Sequence, residues 1–306
     1  MHELGVKVQI LEAGTSVGRT WFWNRCLGAE YGCKSYAYGF FFSQEIIDEW
    51  KWSEHLATQE ETERYIGFIC DKYQLWKDMQ FYTSVSKAHW MAERECWKLT
   101  NENGCEYNSK FLATGIGSLS NPTLPNIAGV NDFKGQAFHT SGWPADAVKF
   151  EGKNVGVTGV CTTAIQIIPE IAKMARSLTV FQRTPNWAIP LHDSKSDEEE
   201  MEIIHKGYPE MLTRINGFGF RMSKYKETLA DLKANALVSN FDVKKIRQRF
   251  KNPWTADKLT PKTHGFELPR VPLETNYFEA YNQPNVRLID LFETLIECTN
   301  KSRVKT

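Results

Sequence analysis

The sequence carries no excess charge of either sign: 37 basic and 37 acidic residues leave a formal net charge of zero over 306 residues. That balance removes the electrostatic basis for nucleic acid or an anionic membrane as the main partner. No apolar run approaches the roughly 20 residues that a spanning helix needs, and the N-terminus lacks the basic and apolar regions of a secretory signal. The expectation is a cytoplasmic protein with no membrane span. Cysteine is sparse, odd in number and scattered, at Cys26, Cys33, Cys70, Cys96, Cys105, Cys161 and Cys298, and no Cys-x-x-Cys pair occurs. This spacing argues against a zinc site and against a disulfide framework, so reduced thiols and no metal are expected. A Gly-x-Gly-x-x-Gly turn, the usual cradle for a dinucleotide pyrophosphate, is absent ahead of the first strand.

Aromatic side chains, in contrast, are plentiful: 10 Trp, 11 Tyr and 18 Phe. They suit a large packed interior or a flat-ring ligand, and the length allows two domains of ordinary size. Met1–Gly5 reads as the tail of a helix, and Val6, Val8, Ile10 and Leu11 as a strand that ends in Glu12, Ala13 and Gly14. An acid at the carboxyl end of such a strand can hold the hydroxyls of a ribose; alone, the same pattern describes a surface Glu ahead of a turn. Ser43–Trp52 and Glu60–Tyr73 carry helical periodicity, with Tyr65, Phe68, Ile69 and Tyr73 on one face. Phe81–Trp90, Cys96–Thr100 and Tyr107–Ala113 alternate as strands, with a hairpin signal at Asn103-Gly104.

A second nucleotide-type unit follows. Gly152–Gly159 is a strand entering a turn, Thr162–Arg176 a helix with Ile165, Ile168 and Ile171 on one side, and Leu178–Phe181 the next strand. Strand, tight turn, helix and strand within about 30 residues make a dinucleotide-binding unit. In its turn, Gly159-Val160-Cys161-Thr162-Thr163-Ala164, the first glycine is kept, Cys161 takes the second place and Ala164 the third. Arg183 and Thr184 come after the second strand, and an Arg there accommodates the 2′-phosphate of NADP; by itself it is equally a solvated Arg. Asp193–Glu200 is a charge-rich loop, and Met201–Phe250 is mostly helical, interrupted at Gly217–Phe220.

Between the two units lies Phe133–Pro144, whose Gly135, Gly142 and Pro144 mark a connector and whose His139 is its one group titrating near neutrality. A loop histidine taken alone is most often structural. The whole stretch reads Phe-x-Gly-x-x-x-His-Thr-x-x-Trp-Pro, and in that signature the protein resembles the Baeyer–Villiger monooxygenases of the flavin-containing class. Gly18–Arg25, Ala113-Thr114-Gly115, Phe181–Trp187 and Leu268-Pro269-Arg270 extend the likeness. It implies an α/β fold of two Rossmann-like dinucleotide-binding domains of the three-layer ββα type, the first incomplete and the second bearing a helical insertion. The implied boundaries are 1–128 for the FAD domain, 129–150 for the connector, 151–290 for the NADP domain with its insertion at about 193–262, and 291–306 for the return to the FAD domain.

The resemblance further implies FAD and NADP(H) as cofactors, with a ketone and O2 as small-molecule partners. One oxygen atom would be inserted beside the carbonyl to give an ester or lactone. Arg270 falls at the place of the family's catalytic arginine, where a fixed positive charge stabilises the developing oxyanion. His139 would act through the connector. Glu12, Thr20, Trp21, Phe22, Trp23, Tyr38 and Val85 fall at flavin-contacting places. Gly159, Val160, Cys161, Thr162, Thr163, Ala164, Ile165, Gln166, Arg183 and Thr184 fall at NADP-contacting ones. Three departures keep a second reading open, that of a catalytically impaired fragment, truncated at both ends, that at most binds a nucleotide. They are the missing first glycine turn, Gly32 where the family places an aspartate, and Cys161 in place of glycine. A third, N-hydroxylating reading with the same cofactors is disfavoured by the connector.

Overall fold

The computed structural model describes residues 5–117, 119, 121–191, 197, 199, 201–208, 232–266 and 271–306. They form two compact units. The first takes in Met1–Arg25, Gln59–Leu124 and His139–Trp143; the second takes in Cys26–Thr58, Pro125–Phe138 and Pro144–Thr306.

In the first unit, Ile10–Leu11 pairs in parallel with Met79–Gln80. The strand is shorter than the Val6–Leu11 expected, because only these two residues find ladder partners. The helix Gln59–Lys72 has Glu60 and Glu61 in its first turn and Lys72 in its last, the placement that its macrodipole favours, and it buries Tyr65 and Ile69 one turn apart. Three antiparallel strands follow, Val85–Met91, Cys96–Asn101 and Glu106–Ser109, with the middle one central. Trp90 lies across from Trp97, their rings edge to face with centroids 5.6 Å apart. Gly104 makes the turn at φ +82°, and the Asn101 side chain accepts from the Cys105 amide at 2.8 Å. The last strand stops at Ser109, short of Ala113, and Ala113-Thr114-Gly115 is not a strand. No described strand runs beside it, and Phe111 stands 84% exposed.

The second unit is built on a three-stranded parallel sheet of Asn154–Thr158, Ser177–Gln182 and Val286–Asp290, with Ser177–Gln182 in the middle. Leu178 and Val180 on one face of the central strand and Phe181 on the other are buried, as a strand covered on both faces requires. The helix Thr162–Met174 packs on this sheet through Ile165, Ile168 and Ile171, each side chain contributing roughly 1.5–3 kcal/mol by burial. Two carbonyls at its C-terminal end, those of Ala172 and Ala175, both accept from Asn285 Nδ2 at 2.9 Å, which satisfies acceptors that a helix end leaves open. Helices at 201–208, Leu232–Gln248 and Pro253–Leu259 fall where a helical insertion is expected. The interruption at Gly217–Phe220 and most of the Asp193–Glu200 loop lie outside the described residues, as do residues 1–4 of the N-terminal helix. Among the described residues no helix is long and apolar enough to cross a membrane.

Candidate nucleotide sites and the connector

At the carboxyl end of the parallel sheet, Gly159 turns the chain at φ +101°, its amide donating to the Phe181 carbonyl at 2.9 Å. A side chain added to it would meet nothing within 4 Å, so the space above the turn is open. The helix begins at Thr162, and its first main-chain bond comes from Ile165 N to Cys161 O at 3.0 Å. The amides of Thr162, Thr163 and Ala164 therefore point outward, the arrangement that holds anions at helix N-termini. Val160 and Ile165 turn their side chains into the core, so only their backbones face this space. Cys161 is exposed, in ordinary extended geometry at φ −84°, ψ −176°. Arg183 and Thr184 are exposed just beyond the central strand, and Arg183 makes no hydrogen bond or ion pair to any described residue. Gln166 is committed elsewhere: its Nε2 donates to the Glu30 carbonyl at 2.8 Å. Open turn, unclaimed amides and unpaired Arg183 together fit the diphosphate and 2′-phosphate of NADP.

In the first unit, Glu12 follows its strand and bends back so that Oε1 accepts from Gly14 N at 2.8 Å. Phe22 packs on Gly14, where even a methyl group would come within 2.9 Å of its ring. Phe22 belongs to the one-turn helix Thr20–Trp23, in which Trp21 is buried and Trp23 exposed. Arg25 clamps this turn: its guanidinium lies 4.5 Å from the Phe22 ring, its Nε donates to Phe22 O at 2.6 Å, and Glu63 stands 3.8 Å away. Thr83 N donates to Glu12 O at 2.9 Å, which brings Val85, exposed at the start of its strand, to the same end of the unit. His139 caps the turn Thr140–Gly142: its Nδ1 accepts from Ser141 N at 3.2 Å and lies 2.7 Å from Ser141 Oγ. An amide can only donate, so the ring proton resides on Nε2. Trp143 N donates to Trp23 O at 3.4 Å, joining connector and flavin-type turn within one unit.

Tyr38 lies in the second unit, its ring 3.6 Å from that of Tyr31. Gly32 sits in the loop before the helix Ser35–Tyr38. Arg270 lies outside the described residues. Among the described residues no group of His, Cys, Asp and Glu could hold a metal ion.

A model of flavin-binding monooxygenase-like proteins matches residues 46–262. The chain belongs to the flavin-binding monooxygenase-like family. Among curated relatives, it is 38% identical to 2-oxo-Δ3-4,5,5-trimethylcyclopentenylacetyl-CoA monooxygenase of Pseudomonas putida, covering 100% of this chain and 64% of that protein. It is 32% identical to cyclohexanone 1,2-monooxygenase of Acinetobacter, covering 94% and 59%. Its fold matches the solved structure of OTEMO complexed with FAD and NADP at a TM-score of 0.94 and 37% identity, over 100% of this chain and 64% of that one. The chain thus spans about three fifths of the length of the relatives it matches. The α/β fold and the Baeyer–Villiger resemblance expected from the connector signature hold in this monooxygenase family, and the expected cofactors are those that the matched complex contains.

Three residues that support these sites are not among the expected site residues. Gln59, buried, donates from Nε2 to Trp21 O and to Glu63, so it fixes the flavin-type turn from a helix 38 residues away. Gly28, at φ +68°, lies against the Gln166 carbonyl of the nucleotide-type helix. Lys258 reaches the end of the parallel sheet from the helix Pro253–Leu259.

Proposed function

We propose that the protein is an FAD- and NADPH-dependent monooxygenase that inserts one oxygen atom of O2 beside a ketone carbonyl, giving an ester or lactone. One observation carries the reading. The complete signature segment is divided between the units, His139–Trp143 belonging to the first and Phe133–Phe138 and Pro144 to the second, as a connector coupling two cofactor domains should be. We read the units as built on two Rossmann-like folds, FAD belonging with the first and NADP with the second. The outward amides of Thr162–Ala164 would hold the pyrophosphate, and Arg183 the 2′-phosphate. Glu12 would hold the FAD ribose through its remaining oxygen, with Thr20–Trp23 and Val85 of the same unit along the cofactor. When bound, the two cofactors supply reducing equivalents and oxygen activation. Arg270 would supply the fixed positive charge that stabilises the oxyanion on the attacked ketone, and His139 would transmit movement through the connector without touching the substrate. The compartment consistent with this chemistry is the cytoplasm.

Gly32 favours a second reading, because a residue without a side chain cannot position a neighbouring arginine as an aspartate does. On that reading the chain binds NADP and does not turn over. Gel filtration after addition of FAD, followed by an assay of ketone-dependent NADPH consumption, separates the two. A yellow protein that consumes NADPH only with ketone supports the first; a colourless protein that binds NADP+ supports the second.

A further inference from the structure

Asp290 closes the outer strand of the parallel sheet directly opposite Gln182, and Leu291 N donates to Gln182 O at 2.8 Å. Paired strands run about 4.8 Å apart, so the Asp290 carboxylate lies at the same end of the sheet as the point where the central strand delivers Arg183. Left uncompensated, that carboxylate would attract the Arg183 guanidinium and repel a phosphate. It is compensated by Lys258. Its Nζ lies 2.8 Å from Asp290 Oδ2 and 2.5 Å from Glu293 Oε1, with the Asp290 side chain only 8% exposed.

Lys258 is also held by its backbone. Its helix, Pro253–Leu259, starts with proline at the first position behind an Asn252 cap that accepts from Trp254 N at 2.9 Å and Thr255 N at 3.4 Å. Its carbonyl accepts from Gln182 Nε2 at 2.8 Å, which locks the helix to the residue just before Arg183. The lysine is therefore anchored at both ends, and Arg183 is left without a partner among the described residues.

We propose that Lys258 is a specificity-determining residue for the 2′-phosphate: by neutralising Asp290 and Glu293 it leaves Arg183 free for the phosphate of NADP and keeps the strand ends from repelling it. The proposal rests on the nucleotide reading given above. The four charged groups at this edge, Arg183, Lys258, Asp290 and Glu293, sum to zero, and removing the lysine leaves one net negative charge facing a dianion.

Calorimetric titration of the whole chain with adenosine 2′,5′-bisphosphate and with 5′-AMP tests it. The protein should prefer the bisphosphate, and Lys258→Met should reduce that preference roughly three- to tenfold, more at low salt. Glu293 is half exposed at 52% of its side chain, so Glu293→Gln leaves the buried pair intact; it should raise the preference about two- to threefold by the same Coulomb argument. A preference that is unchanged in Glu293→Gln, or a Lys258→Met protein that loses both ligands equally, overturns the proposal and leaves the nucleotide site standing. Failure of the unsubstituted protein to bind either ligand removes the nucleotide reading, and this inference with it.

Discussion

The Gln166 side chain donates to the Glu30 carbonyl at 2.8 Å while Gly28, two residues earlier, lies directly against the Gln166 carbonyl. The nucleotide-type helix is thereby braced by the Cys26–Thr58 segment of its own unit. Gly28 combines φ +68° with a position where a methyl group would stand 2.8 Å from that backbone oxygen. Gly152 has nearly the same φ, +69°, with nothing within 4 Å. Gly152→Ala should therefore cost only the left-handed backbone penalty, about 1–2 kcal/mol. Gly28→Ala should cost at least about 1 kcal/mol more, since a backbone atom cannot yield as a flexible side chain does. Urea unfolding of the two variants measures the difference; equal midpoints would show that the brace carries no packing energy.

Arg249 ties the end of the helix Leu232–Gln248 to Glu274 and Glu279. It forms paired hydrogen bonds with both carboxylates, those to Glu279 at 2.6 Å each, and stacks 4.9 Å from the Phe278 ring. Burial works against its charge, but the bonds to Glu279 and Glu274 outweigh this and raise its pKa. The Glu274 side chain is fully buried and also accepts from Tyr277 N at 3.0 Å. Arg249→Met leaves that carboxylate buried and unpaired and should cost about 3–5 kcal/mol. Glu274→Gln keeps an acceptor for Tyr277 N and should cost clearly less. Guanidinium unfolding of both variants reads the order, and a reversed order would contradict the assignment of the burial penalty to Glu274.

What the sequence disclosed and what it withheld follow from how far apart the cooperating residues lie. The parallel unit was legible because its information is local: Ile165, Ile168 and Ile171 recur at helical spacing, and Leu178 and Val180 sit in a short apolar run. Strand ends were less legible. Nothing in Tyr107–Ala113 says where pairing stops, since that depends on a neighbouring strand, and Phe111 has none among the described residues. Side-chain braces were not legible at all. Gln59 reaches Trp21, and Lys258 reaches Asp290, only because the fold brings distant segments together.

Burial holds the His264 imidazole below its ordinary pKa. Its Nε2 is shielded from solvent without a partner among the described residues, and its ring meets Trp187 edge-on at 6.4 Å. A histidine whose pKa is depressed on folding stabilises the fold above its ordinary value near 6.5. That contribution is lost as pH falls through the folded value, because the unfolded chain then binds the proton more readily. His205 is shifted in the same direction, by burial and then by Lys51, with Asp48 opposing. The thermal midpoint should therefore fall between pH 7.5 and 5.5, and His264→Asn should reduce that fall. An equal fall in the variant would assign the acid sensitivity to other groups.

Cys161 occupies the place where a glycine would let pyrophosphate approach the helix N-terminus. Its backbone is extended and its thiol exposed, so the fold does not demand a side chain there, and the obstruction concerns the ligand alone. Cys161→Gly should tighten NADP+ binding roughly three- to tenfold, while lowering stability by about 0.5–1 kcal/mol through added chain entropy. Alkylation of the thiol with N-ethylmaleimide should act oppositely, weakening NADP+ binding, and bound NADP+ should slow the alkylation. Because Cys105 is exposed too, Cys161→Ser serves as the control whose NADP+ affinity must not respond to the reagent. If Cys161→Gly and the unsubstituted protein bind NADP+ with the same affinity, the thiol lies clear of the nucleotide, and the departure from glycine at this turn no longer counts against cofactor binding.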